Sequence, residues 1–164
     1  MKKILIIAAM LLQLPAFAQT LNPHIIDGVF SIKLPASNVP DWESTPNPGT
    51  DYFEIEGAGL LVRLTKRPVP NPSHLDSLFI SGYISGSHYW MENTSIKPKE
   101  KSMNIQGKHL RVVEYTKEKN QHVAEAFFIL KTTLYVVEAV AHREASNQAI
   151  ESDVIQSIQI IQKN

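Results

Sequence analysis

The 164-residue sequence contains no cysteine. This excludes disulfides as a source of stability and thiolates as metal ligands, and it removes the lipobox cysteine that tethers a bacterial lipoprotein. Neither sign of charge prevails, because 16 Lys and Arg balance 16 Asp and Glu. Without a basic excess the chain lacks the electrostatic footprint of nucleic-acid binding, so no nucleic-acid partner is expected. Long hydrophobic runs are missing too. The run from Ile4 to Leu14 falls short of the roughly 20 apolar residues that a membrane-spanning helix needs, so no permanent membrane anchor is expected either.

That short run is informative for another reason. Lys2 and Lys3 precede it, and Pro15 and the small-x-small triplet Ala16-Phe17-Ala18 follow it. This is the order of a cleavable signal peptide, with cleavage after Ala18. The expected organisation is a signal peptide over 1–18 and a single α+β domain over 19–164, free in a periplasm or the medium. Cleavage takes two lysines and no acid, leaving a slight acidic excess. With 43% hydrophobic residues the domain can rest on one apolar core.

Alternation of apolar residues marks the strands. Phe30, Ile32 and Leu34 share one face of a strand that Pro35 ends. The stretch from Ala36 to Thr50, with Pro40, Pro46, Pro48 and Gly49, reads as a loop. Tyr52 to Glu56 and Leu60 to Leu64 form a strand pair around Gly57-Ala58-Gly59. After Pro68, Pro70 and Pro72, Ser73 is the N-cap of a helix running to about Tyr89, with Asp76 at the capping-box position. Leu75, Leu78, Phe79 and Tyr83 sit at helical spacing, and Gly82 and Gly86 continue that face, which suggests close approach to another element.

From Ser95 the pattern turns to strands at Ile96 to Ile105, His109 to Lys117, His122 to Lys131 and Thr133 to His142, the last three forming a meander. If Thr116 pairs with Gln121, one face carries Val113, Tyr115, Ala124, Ala126, Phe128, Leu130, Tyr135, Val137, Ala139 and Ala141. Its small centre would suit a glycine-striped helix. The other face mixes Leu110, Val112, Phe127, Ile129 and Val136 with Glu114, Glu125 and Glu138, and is expected to be half wet. Ile150, Val154, Ile158 and Ile161 mark a C-terminal amphipathic helix, with Ser146 as its N-cap, that straightens near its end.

This order of elements resembles the PsbP-like or Mog-type superfamily of α-β-α sandwiches, which includes photosystem II extrinsic subunits and small bacterial periplasmic proteins. The resemblance rests on Phe30, Ile32, Leu34 and Pro35, on the meander with Tyr115, Phe128 and Tyr135, and on the final helix ending in Ile155-Gln156-Ser157-Ile158. It implies an antiparallel meander flanked by helices and an accessory or binding role. Fold alone does not fix function.

The chemistry-bearing residues point the same way. Six histidines invite a metal reading, but no His-x-x-x-His or Glu-x-x-His spacing supplies a ligand set. In the register above His122 faces Arg143, while a one-residue change of turn brings His122 and His142 opposite each other. Gly82-Tyr83-Ile84-Ser85-Gly86 has the wrong spacing for a nucleophile elbow. Glu114, Glu125 and Glu138 either bind a cation or basic partner, or simply alternate outward into solvent. Trp42, Tyr89 and Trp90 either anchor a partner or close the ends of the core.

The expectation is a non-catalytic exported accessory or binding protein with no cofactor, whose partner is a protein or a small molecule met by Trp42, Tyr89, Trp90, Glu114, Glu125 and Glu138. The alternatives are a small metal-dependent or hydrolytic enzyme using His and Glu side chains, and a structural interaction module of an envelope assembly.

Overall fold

The computed structural model describes residues 21–57, 59–69, 76–117, 120–142 and 150–161. The signal-peptide pattern and the expected caps Ser73 and Ser146 lie outside those residues. Strand β1 (Asn22–Ile26), which the pattern of apolar residues does not announce, pairs antiparallel with β2 (Phe30–Leu34). Asp27 and Gly28 make the turn between them at φ of 49° and 66°, a region open to glycine and tolerated by Asp. The proline-rich loop holds the two-residue strand β3 (Glu43–Ser44). The expected strand pair is present as β4 (Asp51–Gly57) and β5 (Leu60–Pro68).

Helix α1 (Asp76–Ser87) runs into a 3₁₀ turn over Tyr89–Asn93. Strand β6 (Lys99–Ile105) starts three residues later than expected, while β7 (Lys108–Lys117), β8 (Gln121–Leu130) and β9 (Thr133–His142) follow the expected boundaries to within one residue. Helix α2 (Ile150–Gln156) ends earlier than expected, and the chain straightens into β10 (Gln159–Ile160). Ser157 marks that change. Its hydroxyl donates to the Val154 carbonyl at 2.7 Å and accepts the Lys33 amide of β2 at 2.8 Å.

A seven-stranded antiparallel sheet in the order β3-β4-β5-β9-β8-β7-β6 is the centre of the domain, and β1-β2-β10 form a small second sheet. One face of the large sheet packs against the small sheet and α2, burying Phe30, Ile32, Leu34, Val154, Ile155 and Ile158 with Phe53, Val112, Phe128 and Val137. The other face carries Val113, Tyr115, Val123, Phe127, Leu134 and Val140 under Ile80 and Ile84 of α1 and Met91 of the 3₁₀ turn. The fold is therefore α+β, a mostly antiparallel sheet with helices on both faces.

Two expectations are corrected. The β7–β8 hairpin pairs Lys117 with Gln121 and Thr116 with His122, one residue away from the assumed register, with Asn120 at a φ of 60° in the turn. A slip of one residue moves every side chain of a strand to the other face. Leu110, Val112 and Glu114 therefore share the small-centred face, while Val113 and Tyr115 lie with Phe127.

The second correction concerns α1. It covers the face opposite the alanines, and α2 packs on β8 and β9 in its place. Ile80 and Ile84 point inward, and a Cβ built on Gly82 or Gly86 meets nothing within 4 Å. The glycine stripe is thus not a contact. Gly82→Ala and Gly86→Ala are each expected to stabilise the protein by roughly 1 kcal/mol, through helix propensity and lost freedom of the unfolded chain. Thermal unfolding checks this, and a destabilised variant would mean that the face is packed.

Candidate functional site

The strongest concentration of polar chemistry inside the fold lies where α1 ends. The inward face that begins with Ile80 and Ile84 continues by one turn to His88, whose amide closes the helix on the Ile84 carbonyl at 2.9 Å. The His88 ring lands over the large sheet, edge-on to Tyr115 at 5.6 Å and to Phe127 at 6.0 Å. Its Nε2 lies 2.5 Å from Oε2 of Glu125, and both side chains are about nine-tenths buried. A carboxylate only accepts hydrogen bonds, so Nε2 carries the proton and donates it. The other carboxylate oxygen, Oε1, accepts the Tyr115 hydroxyl at 3.4 Å. Burial raises the Tyr115 pKa well above its usual value, and the Glu125 and Glu138 charges and the hydrogen bond raise it further, so the phenol remains a donor. Nδ1 of His88 is buried and has no hydrogen-bond partner among the described residues.

The structure divides the three glutamates. Glu125 and Glu138 are cross-strand partners of β8 and β9 on the α1 side. Glu138 is neutralised by Arg63 at 3.3 Å and Lys117 at 3.7 Å. Glu114 lies on the opposite face, where it pairs with Lys101 at 2.6 Å and accepts the Ser152 hydroxyl at 3.1 Å. Expecting all three on one half-wet face was wrong for two reasons. The register moves Glu114 across the sheet, and α1 with the 3₁₀ turn covers Glu125.

Burial alone would raise the Glu114 pKa, but the Lys101 hydrogen bond and charge, with Ser152 and Lys99, outweigh it and hold the carboxyl below its ordinary 4.5. A depressed folded-state pKa gives stability that is present above the unfolded value and lost as pH falls through the folded one. Glu114→Gln is therefore expected to be less stable than wild type at neutral pH and to show a shallower stability loss on acidification. Parallel acid curves would contradict the pairing.

The aromatic residues also divide. Trp42 is built into an end of the core, packing on Phe53 with ring centroids 4.7 Å apart and donating its indole N–H to Asp27 at 3.1 Å under the Lys66 ammonium. Tyr89 and Trp90 stand outward from the 3₁₀ turn, 64% and 43% exposed. Their base is fixed, since Met91 beside them is buried and its amide bonds the His88 carbonyl at 2.8 Å. Trp90 also meets the edge of Tyr115 at 6.3 Å, and the Lys117 ammonium lies 5.9 Å from its ring.

The residue that sequence reasoning missed is His88. The signal was available in the spacing Ile80, Ile84, His88, which places it on the buried face of α1, whereas Gly82 and Gly86 drew the expectation to the opposite side. The register pairs His122 with Ala141 and Gln121 with His142, so the two histidines are not cross-strand partners. Among the described residues, no group of three or more His, Asp or Glu side chains is placed to hold a metal ion, and no helix is long and apolar enough to cross a membrane.

No family model matches the chain, and no curated protein matches it. Among solved structures it is similar to cyanobacterial PsbP (CyanoP) from Synechocystis sp. PCC 6803, at 10% identity over 90% of this chain and 96% of that one, with a TM-score of 0.51. It also aligns with a Pseudomonas aeruginosa protein of unknown function, at 10% identity over 84% of this chain and 88% of that one, TM-score 0.39. A third alignment, to a Bacteroides thetaiotaomicron VPI-5482 protein, has 15% identity over 88% of this chain and 50% of that one, TM-score 0.40. The first likeness shows a shared fold, and the chain is PsbP-like in that sense alone.

Proposed function

We propose that the protein is an exported accessory protein that acts by binding another envelope protein rather than by catalysis, with Tyr89 and Trp90 as its contact surface. The carrying observation is the aromatic step itself. Two large rings are held in solvent on a base anchored by Met91 and His88, although the core beneath them is complete without them. Rigid aromatics bury large area with little loss of side-chain freedom, which is why they dominate interface energetics. Lys117 at the edge of Trp90 supplies a polar rim of the kind that surrounds such anchors. The signal-peptide pattern of residues 1–18 supports export, and the PsbP-like fold accommodates an accessory role.

The test is site-specific photocrosslinking in cells of the source organism, with the probe at Tyr89 or at Leu78, which is 68% exposed on α1. The probe at Tyr89 is expected to trap one defined partner that the probe at Leu78 does not. Equal trapping from both positions, or none from either, would overturn this contact surface.

A further inference from the structure

The two sheets have four outer edges, and three of them are closed to a further strand. In the small sheet β1 carries Pro23, which has no amide N–H to offer, and β10 is two residues long with Ser157 taking the Lys33 amide beside it. At one end of the large sheet β3 is also two residues long, and where it stops Trp42 packs on Phe53 and Pro35 abuts Gly57. The fourth edge, β6, is different. It pairs with β7 over seven residues without a bulge or a proline, and no strand lies on its outer side among the described residues. Charged side chains often blunt such an edge. Here they are answered within the sheet, Lys101 by Glu114 at 2.6 Å and Glu100 by Arg111 at 2.5 Å, while the half from Ser102 to Ile105 is uncharged.

We propose that β6 pairs with β6 of a second copy of this chain, antiparallel about a two-fold axis at Ser102, so that the two large sheets become one. Charge sets the register. With the axis there, Glu100 faces Asn104 of the second copy, Lys101 faces Met103 and Lys99 faces Ile105, and no like charges lie opposite each other. An axis at Glu100 or Lys101 sets like charges together, and one at Met103 separates Glu100 from Asn104. Asn104 already accepts the Gly107 amide at 3.0 Å through Oδ1, which leaves its NH₂ to donate to the Glu100 carboxylate of the second copy, twice by symmetry. Both residues lie on the α1 side, where Arg111 links Glu100 to Ser81. On the α2 side Met103 and Ile105 are partly buried, and their outer surfaces cover the lysine stems of the second copy. A strand from a different protein would have to reproduce this pattern, whereas β6 supplies it to itself. The joined sheet carries both copies of α1 on one face, so two aromatic corners face the same way and a partner with two sites gains avidity.

The experiment joins sedimentation velocity of the purified mature protein to single-cysteine crosslinking, which a cysteine-free chain allows without background. The wild type is expected to sediment as a dimer. Ser102→Cys is expected to form a covalent dimer on mild oxidation, because residues opposite each other in antiparallel strands have Cα atoms about 4.5–5.5 Å apart, within reach of a disulfide. Ser85→Cys, at an exposed position on α1, is expected to give none. Ser102→Lys, also at an exposed position, sets like charges on the axis and is expected to weaken dimerisation roughly ten-fold with an unchanged circular dichroism spectrum. Tyr89→Ala/Trp90→Ala is expected to leave the dimer intact, which separates this edge from the proposed protein contact. A monomeric wild type, a dimer indifferent to Ser102→Lys, or equal crosslinking from Ser85→Cys and Ser102→Cys would each overturn the proposal. So would a Ser102→Cys chain that is trapped in the envelope on a different protein instead of on its own copy.

Discussion

His88→Ala is expected to lower stability by about 3 kcal/mol, because it strips the buried Glu125 carboxylate of its closest hydrogen-bond donor. The Glu125 carboxylate sits on the central strand β8 under the end of α1, and the described groups that answer it are the His88 Nε2–H and the Tyr115 hydroxyl. Deleting the imidazole leaves a buried charge with one long hydrogen bond, and it also removes the edge contacts with Tyr115 and Phe127. Tyr115→Phe, which keeps the ring and loses one donor, should cost about 1 kcal/mol. The double variant His88→Leu/Glu125→Met is expected to recover most of the loss, since replacing both partners by apolar side chains leaves no unmet charge. Urea unfolding of the four proteins decides this. If His88→Ala cost no more than Tyr115→Phe, or if the double variant were the least stable, the cluster would not be coupled as its geometry indicates.

Phe30→Ala is expected to cost about 3–5 kcal/mol, the range for truncating a buried aromatic side chain. Phe30 has no exposed surface and lies edge-on to Phe128 of β8 and Tyr135 of β9, with both centroid distances 5.1 Å. It is the ring through which the small sheet grips the large one. The neighbouring tie is polar, since Tyr135 donates to Asp27 at 3.0 Å and Lys66 reaches the same carboxylate at 3.3 Å. Losing Phe30 should therefore loosen β10 as well as lower global stability. Hydrogen exchange reads this locally at the Ile161 amide, which bonds the Val29 carbonyl at 2.8 Å. Protection there should fall further than at β8, and equal loss at both sites would mean that the two sheets open as one unit.

Much of the fold was legible because its strands alternate strictly and its turns are marked. Phe30, Ile32 and Leu34 announced β2, and β7 to β9 were bounded to within a residue or so. What could not be read was register. The β7–β8 turn differs by one residue from the assumed pairing, and nothing in Lys117 to Gln121 fixes that count, yet it decides which face Glu114 and Tyr115 occupy. Strand β1 escaped notice because Pro23 and His24 interrupt its alternation. Helix α1 lies on the other face from the one its Gly82 and Gly86 stripe suggests, because Ile80 and Ile84 supply its buried side. Of the candidate site, Glu125, Tyr89 and Trp90 were visible as residues, but the cluster was not. His88 joins Glu125 only through a contact between a helix end and a strand 37 positions apart in sequence, which no local pattern encodes.

Whether the protein is exported and binds its partner through the aromatic corner is decided by native mass spectrometry of the protein recovered from the envelope fraction of its own host, as wild type and as Tyr89→Ala/Trp90→Ala. The predicted result is a wild-type chain beginning at Gln19 in a defined complex with a second protein, and a double variant that is folded, processed identically and free of that protein. A wild-type chain found only as a monomer, or a complex that survives loss of both rings, would contradict it.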